Sequence, residues 1–152
     1  MAPSPDSFHQ DIIGNIYFLL RGYLVEHPVG TARVSPSDVQ LSDLNVYQPD
    51  VYFVSKARKS VLTKQGVTGA LDLVVEILSP RTAKLDRDVK RRVYARTGVE
   101  ELWIVDPEMK TVDVYRFAES AEEPAGTYSG RQKFASPLFP GLQISVAKIF
   151  QQ

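Results

Sequence analysis

The segment Asp72-Leu73-Val74-Val75-Glu76-Ile77-Leu78-Ser79-Pro80 decides how the rest of the chain is interpreted. It predicts a strand over 71–78 with apolar residues on both faces, which is typical of a central strand in a covered sheet. Side chains alternate along a strand, so Glu76 shares a face with Asp72 and Val74. Burying an unpaired carboxylate is costly or raises its pKa. The charge of Glu76 must therefore be compensated by a metal ion, by an arginine or by several hydrogen bonds, unless the strand is an edge that is solvated at this point.

A second carboxylate lies at the start of another predicted strand. Asp50 follows Pro49 and precedes the extended segment 51–54. An aspartate after proline is often only a turn cap. If Asp50 and Glu76 come from neighbouring strands, however, the two carboxylates would converge on one divalent cation. Mg²⁺ favours one or two carboxylates together with water and phosphate oxygens, so the pair is a candidate Mg²⁺ (or Mn²⁺) site.

A predicted helix over 85–97 carries the third candidate group. Lys90 is one turn from Asp86 and one turn from Tyr94, so these three share a face. A surface Asp86–Lys90 pair, worth a few tenths of a kcal/mol, is the simpler interpretation. As a functional group, Lys90 would orient or deprotonate an attacking water and neutralise phosphate charge. The expected inward stripe of the helix is Leu85, Val89 and Val93.

The remaining pattern predicts a helix and several short strands. Apolar residues at spacings of three and four predict a helix over 9–25. Trp103 lies in an apolar strand and is expected in the core. Strands are predicted over 31–35, 38–42, 101–105, 112–117, 132–135 and 142–146, and polar loops over 56–69 and 118–126. The order predicts a single α/β (α+β) domain over 1–152, built around a mixed sheet.

Composition excludes several classes of function. The chain has no cysteine, which excludes a disulfide framework, a thiolate zinc site and a cysteine nucleophile, and which suits a reducing cytoplasm. No apolar run approaches the roughly 20 residues that a membrane-spanning helix needs. The two histidines, His9 and His27, lie at the ends of the first helix, which disfavours Ser–His–Asp catalysis. No glycine-rich phosphate loop is present.

Charge is balanced over the whole chain but not along it. The 18 Lys and Arg residues match 18 Asp and Glu residues, which argues against a strongly basic, non-specific nucleic-acid binder. Residues 81–96 nevertheless hold seven basic and two acidic side chains, and 100–123 hold eight acidic and two basic ones. A solvated helix and a solvated hairpin explain this simply, whereas a basic face would contact phosphates. The candidate nucleic-acid contacts are Arg81, Lys84, Arg87 and Arg91.

These stretches together resemble the Uma-type restriction endonucleases, a bacterial family assigned to the PD-(D/E)XK nuclease superfamily. The resemblance rests on Gln48-Pro49-Asp50-Val51, on the segment 72–80, on Asp86 with Lys90 and Tyr94, and on Gly98-Val99-Glu100-Glu101-Leu102-Trp103-Ile104-Val105-Asp106-Pro107. It covers nearly the whole chain, from His9-Gln10 to Phe139-Pro140-Gly141-Leu142. It implies a restriction-endonuclease-like core, a mixed β-sheet flanked by helices, which cleaves nucleic acid with Mg²⁺. The expected substrate is DNA, and a homodimer is expected from the superfamily.

The resemblance also implies roles for single residues. Asp50 and Glu76 match the two acidic positions of the superfamily motif and are expected to ligate the metal. The usual lysine two positions later is absent, because Leu78 stands there. Lys90 matches a lysine that has moved to the following helix. The expected supporting residues are Asp72, Asp86 and Tyr94.

One departure from the family pattern and two other functions stay open. Relatives carry a further segment before the stretch that matches Met1-Ala2-Pro3-Ser4-Pro5, so this sequence starts inside the family pattern. Either the protein is genuinely short, or the sequence is truncated and is expected to lack an edge strand and part of the site. A nuclease-like module that binds nucleic acid or self-associates without cleaving fits the balanced charge. An acid–base hydrolase such as a glycosidase could use Asp50 and Glu76, but no aromatic sugar platform accompanies them.

Overall fold

A computed structural model describes residues 6–79 and 84–152, the side chains of 84–86 excepted. The described helices are α1 (Ser7–Glu26), α2 (Lys84–Arg96) and α3 (Val146–Ile149), with a 3₁₀ helix over Lys56–Val61. The strands are β1 (Gly30–Val34), β2 (Asp38–Ser42), β3 (Asn45–Tyr47), β4 (Val51–Ser55), β5 (Gly66–Thr68), β6 (Leu73–Ile77), β7 (Glu101–Asp106), β8 (Thr111–Arg116), β9 (Gly126–Ser129), β10 (Lys133–Phe134) and β11 (Ile144–Ser145). In this part of the chain no helix is long and apolar enough to cross a membrane.

The main sheet has six strands in the order β1-β4-β6-β7-β8-β9. β6 and β7 are parallel, and the other neighbours in this sheet are antiparallel. A parallel pair needs a crossover connection, and α2 lies in the connection between β6 and β7. Two smaller sheets, β3-β2-β5 and β10-β11, accompany it. The predicted α/β class, a mixed sheet flanked by helices, is confirmed.

One face of the main sheet is covered by α1. The Asp6 side chain caps this helix by accepting a hydrogen bond of 2.8 Å from the His9 backbone amide. Pro28 follows the helix end and disfavours its continuation. Residues at a spacing of four, namely Ile12, Ile16, Leu20 and Leu24, are buried against the sheet. Trp103 is fully buried in the same cluster, as the sequence predicted.

The other face of the sheet positions the candidate site. A second cluster on that face joins sheet residues to Tyr94 of α2 and to Val39 of the small sheet. Every β6 residue except Glu76 is buried. The prediction that this apolar segment forms a central covered strand is therefore confirmed.

Two local predictions were wrong. The segment 56–69 is not a loop, because it holds the 3₁₀ helix and β5, which pairs in parallel with β2. Gly66 permits that pairing, since a Cβ there would come within 2.1 Å of the Asp38 carbonyl oxygen. In the predicted inward stripe of α2, Val93 is buried as expected but Val89 is 44% exposed, and the Leu85 side chain lies outside the described residues. Tyr94 is buried beside Val93. The structure also holds β9 over Gly126–Ser129, which the sequence did not predict.

Candidate active site

The strand register brings two carboxylates together. β4 and β6 are antiparallel, with Val51 opposite Val75. Continuing this register by one residue places Asp50 opposite Glu76. Directly opposed residues share a face of the sheet, with Cβ atoms about 4.5–5.5 Å apart. The two carboxylates therefore converge at one end of the central strands, although they are 26 positions apart in the sequence.

Asp50 is held in a poorly solvated position. Its Oδ2 atom accepts a hydrogen bond of 2.7 Å from the Ile77 backbone amide, and its side chain is only 18% exposed. Burial raises the pKa of Asp50, and the Ile77 bond and the charges of His9 and Lys90 offset this only in part. A bound cation would relieve the same desolvation by favouring the charged form.

Glu76 is oriented by a buried tyrosine. The Tyr94 hydroxyl donates a hydrogen bond of 2.5 Å to Glu76 Oε1. The Tyr94 ring is fully buried, with its centroid 5.5 Å from that of Tyr47 in an edge-to-face contact. Burial and the Glu76 charge raise the pKa of Tyr94, so its hydroxyl stays protonated and remains a donor. Tyr94 thus fixes one oxygen of the Glu76 carboxylate.

Lys90 lies at the border of this pair. Its Nζ atom lies 5.6 Å from the centroid of the Tyr47 ring, a cation–π contact. Its positive charge is one of the influences that lower the pKa of Asp50. Lys90, Glu76 and Arg87 line one small cleft. Among the described side chains, Lys90 forms no ion pair.

The predicted phosphate-binding arginines occupy different environments. Arg87 is partly exposed, and its Nε atom lies 3.9 Å from Asp88. Arg91 is buried, and its guanidinium donates to Asp88, to the Ala121 carbonyl and to Glu122. Arg91 therefore braces α2 against the loop that follows β8. Arg81 and the side chains of Lys84 and Asp86 lie outside the described residues.

Asp72 is placed away from the two converging carboxylates. It precedes β6, four residues before Glu76 and so about 13 Å along the strand direction. Its Oδ2 atom accepts a bond of 2.5 Å from the Ser55 amide, and its Oδ1 atom lies 3.6 Å from Arg58 Nε. Asp72 thus ties the end of β4 to the 3₁₀ helix.

His9 is a neighbour of the site that the sequence did not indicate. Its Nε2 atom donates to the Ile77 carbonyl at 3.3 Å and lies 3.9 Å from Asp50 Oδ2. Its Nδ1 atom is buried with no hydrogen-bond partner among the described residues. No local pattern assigns a role to a histidine in the first turn of an amphipathic helix, because the contact depends on how α1 docks.

The donor set determines which metal the site suits. Within 6–79 and 84–152, no three Asp, Glu, His or Cys side chains cluster closely enough to hold a metal ion by themselves. Zinc sites need three or four such ligands, usually nitrogen or sulfur, so the site does not fit zinc. Asp50 and Glu76 supply two hard oxygen ligands, which fit Mg²⁺ or Mn²⁺ completed by water and substrate oxygens.

Known proteins resemble the chain in sequence and in fold. The family model Uma2, described as "Putative restriction endonuclease", matches residues 1–147. The crystal structure of a protein described as "a putative nuclease belonging to DUF820", from Anabaena variabilis, superposes with a TM-score of 0.80 at 19% sequence identity. The match covers 97% of this chain and 83% of that chain, and at this identity it shows the fold alone. No curated protein matches the chain.

Proposed function

The chain belongs to the Uma2 family, and from this premise we propose that it is a metal-dependent endonuclease that hydrolyses nucleic-acid phosphodiester bonds, with DNA as substrate. The observation that supports this most strongly is the register that sets Asp50 opposite Glu76, with Lys90 lining the same cleft as Glu76. A cation held by two carboxylates, together with the ammonium group, is suited to neutralising and positioning a phosphodiester.

Asp50 and Glu76 would hold the metal. When bound, Mg²⁺ or Mn²⁺ would neutralise charge on the scissile phosphate and acidify the attacking water. The Ile77 amide and the Tyr94 hydroxyl each fix one carboxylate oxygen, which keeps both side chains in position before substrate arrives. Partly buried, pre-oriented carboxylates lose little entropy on binding a cation, because their conformations are already restricted.

Lys90 would act on the substrate and the water. Its ammonium group can orient the attacking water or offset the negative charge that grows on the phosphate in the transition state. Arg87 lines the same cleft and is the described arginine best placed to contact a neighbouring phosphate. Arg81 and Lys84 are close to it in sequence and would extend the same basic path. Arg91 would act indirectly, by holding α2 in place.

Plasmid cleavage tests this proposal. Wild-type protein should nick supercoiled plasmid in Mn²⁺ or Mg²⁺ and not in EDTA, and Glu76→Gln should abolish nicking while keeping the wild-type circular dichroism spectrum. Glu108→Gln is the matched control, because Glu108 is exposed in the turn between β7 and β8. Wild-type-like cleavage by Glu76→Gln would show the assignment to be wrong. Plasmid binding without nicking by the wild type would instead indicate a nuclease-like binding module.

A further inference from the structure

A polar groove lies at β1, the edge strand of the main sheet. It is lined by residues 32–34 of β1 and by residues 64–66 at the start of β5. Its volume is about 410 Å³, against the roughly 30 Å³ that one water molecule occupies, so a phosphate group fits with its bound water. We call it the β1 groove. Its polar side chains are Tyr17, Arg33, Ser37, Lys64 and Gln65.

The two cations of the β1 groove have no acidic partner. Among the described residues, no acidic side chain lines the groove. Within 6–79 and 84–152, the side chains of Arg33 and Lys64 form no ion pair and no hydrogen bond. Asp38 is the acidic residue closest to Arg33 in sequence, and its Oδ1 atom accepts a hydrogen bond of 2.7 Å from the Gln48 side-chain amide. A concave surface with two uncompensated positive charges attracts anions, so the groove suits an anionic ligand.

The strand register places the β1 groove beside the candidate active site. β1 pairs with β4, and the Ser35 amide donates to the Asp50 carbonyl oxygen at 3.0 Å. Arg33 is opposite Tyr52, so its side chain is on the same face of the sheet as that of Asp50. The backbone positions of Arg33 and Asp50 are one strand spacing and two residues apart, which is about 8 Å.

The two carboxylates lie between two basic surfaces. The strand order β1-β4-β6-β7 puts the groove at one side, followed by Asp50 before β4 and by Glu76 in β6. The cleft that contains Lys90 lies beyond Glu76, since residues of β7 also line it. A nucleic-acid strand with one phosphate at the carboxylates would pass over the cleft on one side and over the groove on the other. We propose that the β1 groove binds backbone phosphates of this strand, through Arg33 and Lys64.

The chemistry of these side chains determines what such a contact does. A guanidinium group can donate to two phosphate oxygens at once, and an ammonium group acts as a point charge. Contacts to backbone phosphates carry no sequence information and instead fix the position of the strand on the protein. The groove would therefore hold the substrate in place across the carboxylates and would not select its sequence. The inference rests on the proposed function for the class of substrate, but its tests measure binding and not cleavage.

Salt titration of DNA binding tests the role of the two cations. Binding of a fluorescent duplex is measured in EDTA, which prevents metal-dependent cleavage. Replacing both Arg33 and Lys64 by glutamine should lower the slope of log K against log salt by about 2, one for each cation that contacts a phosphate. A wild type that does not bind DNA, or an unchanged slope in this double variant, would overturn the proposal.

A second double variant controls for net charge. Arg131→Gln combined with Lys133→Gln also removes two positive charges, and both side chains are exposed. They follow β9, which is the opposite edge strand of the main sheet. This control should keep the slope of the wild type. An equal loss of slope in the two double variants would show a general effect of charge and would refute the groove.

Photo-cross-linking measures directly whether DNA lies in the groove. Gln65→Cys keeps both cations and introduces a single thiol, because the chain has no cysteine. An aryl azide attached to this thiol should cross-link to the duplex on illumination, and excess unlabelled duplex should suppress the product. The same label on Arg131→Cys should give at most a tenth of the yield. Equal yields at the two positions would contradict the proposal.

The outcomes separate this inference from the proposed function. A lower slope in the groove variant and cross-linking at position 65, without plasmid nicking by the wild type, would support the groove and refute the nuclease. Metal-dependent nicking by the wild type, with an unchanged slope in the groove variant, would refute the groove and support the nuclease.

Discussion

The hydroxyl of Tyr94 donates a hydrogen bond of 2.5 Å to Oε1 of Glu76, so a fully buried residue of α2 holds a carboxylate of β6. Tyr94→Phe removes this donor and keeps the ring. Loss of a residue that orients a metal ligand typically costs 10–100-fold in metal affinity or activity, so we expect cleavage to fall by about that factor.

Tyr52→Phe is the control for this variant. Tyr52 is equally buried, and its hydroxyl is 2.6 Å from that of Ser37, away from the two carboxylates. Both variants should lose about 1 kcal/mol of stability, but only Tyr94→Phe should lose activity. Equal plasmid-nicking rates in the two variants would remove the role assigned to Tyr94.

Asp50→Asn should stabilise the metal-free protein at neutral pH. Burial raises the pKa of Asp50 above its ordinary value of 3.8. As pH rises from 3.8 through the raised pKa of the folded state, the folded protein has to ionise a desolvated carboxylate, and the free energy of unfolding falls. Asparagine has no such charge, so the melting temperature of the variant in EDTA should exceed that of wild type by a few degrees at pH 7 and match it below pH 3.8.

Adding metal should favour the wild type over Asp50→Asn in melting temperature. Adding Mg²⁺ or Mn²⁺ should raise the melting temperature of wild type more than that of Asp50→Asn, because the variant keeps Glu76 as the single charged ligand of the proposed pair. Differential scanning fluorimetry with and without EDTA measures both shifts. Equal shifts would mean that Asp50 does not bind the metal.

Lys90→Gln should slow cleavage and leave metal binding intact. The substitution removes an ammonium group from the cleft that Glu76 lines and keeps a polar side chain of similar length. Removing one group that stabilises transition-state charge costs on the order of 10²-fold in rate, which is the drop we expect at saturating metal. Lys148→Gln, an exposed change in α3, should cleave at the wild-type rate. A rate loss of the same size in both variants would point to general electrostatics and away from a specific role of Lys90.

Alanine substitutions of Arg87 and Arg91 should have different effects, the first on nucleic-acid binding and the second on stability. Arg87→Ala should weaken binding and reduce the slope of log K against log salt by about 1, with little effect on unfolding. Arg91→Ala should instead cost about 1–3 kcal/mol of stability, because Asp88 and the Ala121 carbonyl lose a buried donor. Salt titrations of DNA binding and urea unfolding measure the two effects. Loss of stability in Arg87→Ala, together with loss of DNA binding alone in Arg91→Ala, would contradict the site geometry.

Glu101 should make stability depend on pH. Burial raises its pKa above the ordinary 4.5, although Trp103 Nε1 donates to it at 2.9 Å and the Ser136 hydroxyl at 2.7 Å. Its ionisation in the folded state therefore costs stability as pH rises above 4.5. Glu101→Gln should flatten this part of the pH profile. Urea unfolding followed by fluorescence of Trp103, the single tryptophan, measures it, and an unchanged profile would disprove the assignment.

Local patterns predicted much of the framework. The apolar run around Glu76 identified the central strand, and the segments around the 107–110 turn identified the β7–β8 hairpin. Local patterns could not predict the register that sets Asp50 opposite Glu76, because it depends on pairing between strands separated by the 3₁₀ helix and β5. The same limit applies to His9, whose contact with Asp50 depends on the docking of α1.

Side-chain direction on α2 was predicted less well for a different reason. Apolar and charged residues lie close together in the sequence of α2, and helical periodicity alone predicted that the buried face contains Val89. The structure turns the helix so that Tyr94 is buried and Val89 is exposed, because the tyrosine buries more apolar surface and finds an acceptor in Glu76. Tyr94 is thus buried where the predicted stripe had Val89, whereas Val93 is buried as predicted.

The parallel pairing of β6 with β7 has a consequence for how such sites can diverge in evolution. The chain between two parallel strands has to cross over, and α2 in that connection passes the cleft at the end of β6. Leu78, two residues beyond Glu76, and Lys90 line that same cleft. A lysine can therefore reach it from the strand or from the crossover. Replacing Leu78 with lysine and Lys90 with an apolar residue would therefore move the ammonium group from the crossover to the strand by two point substitutions.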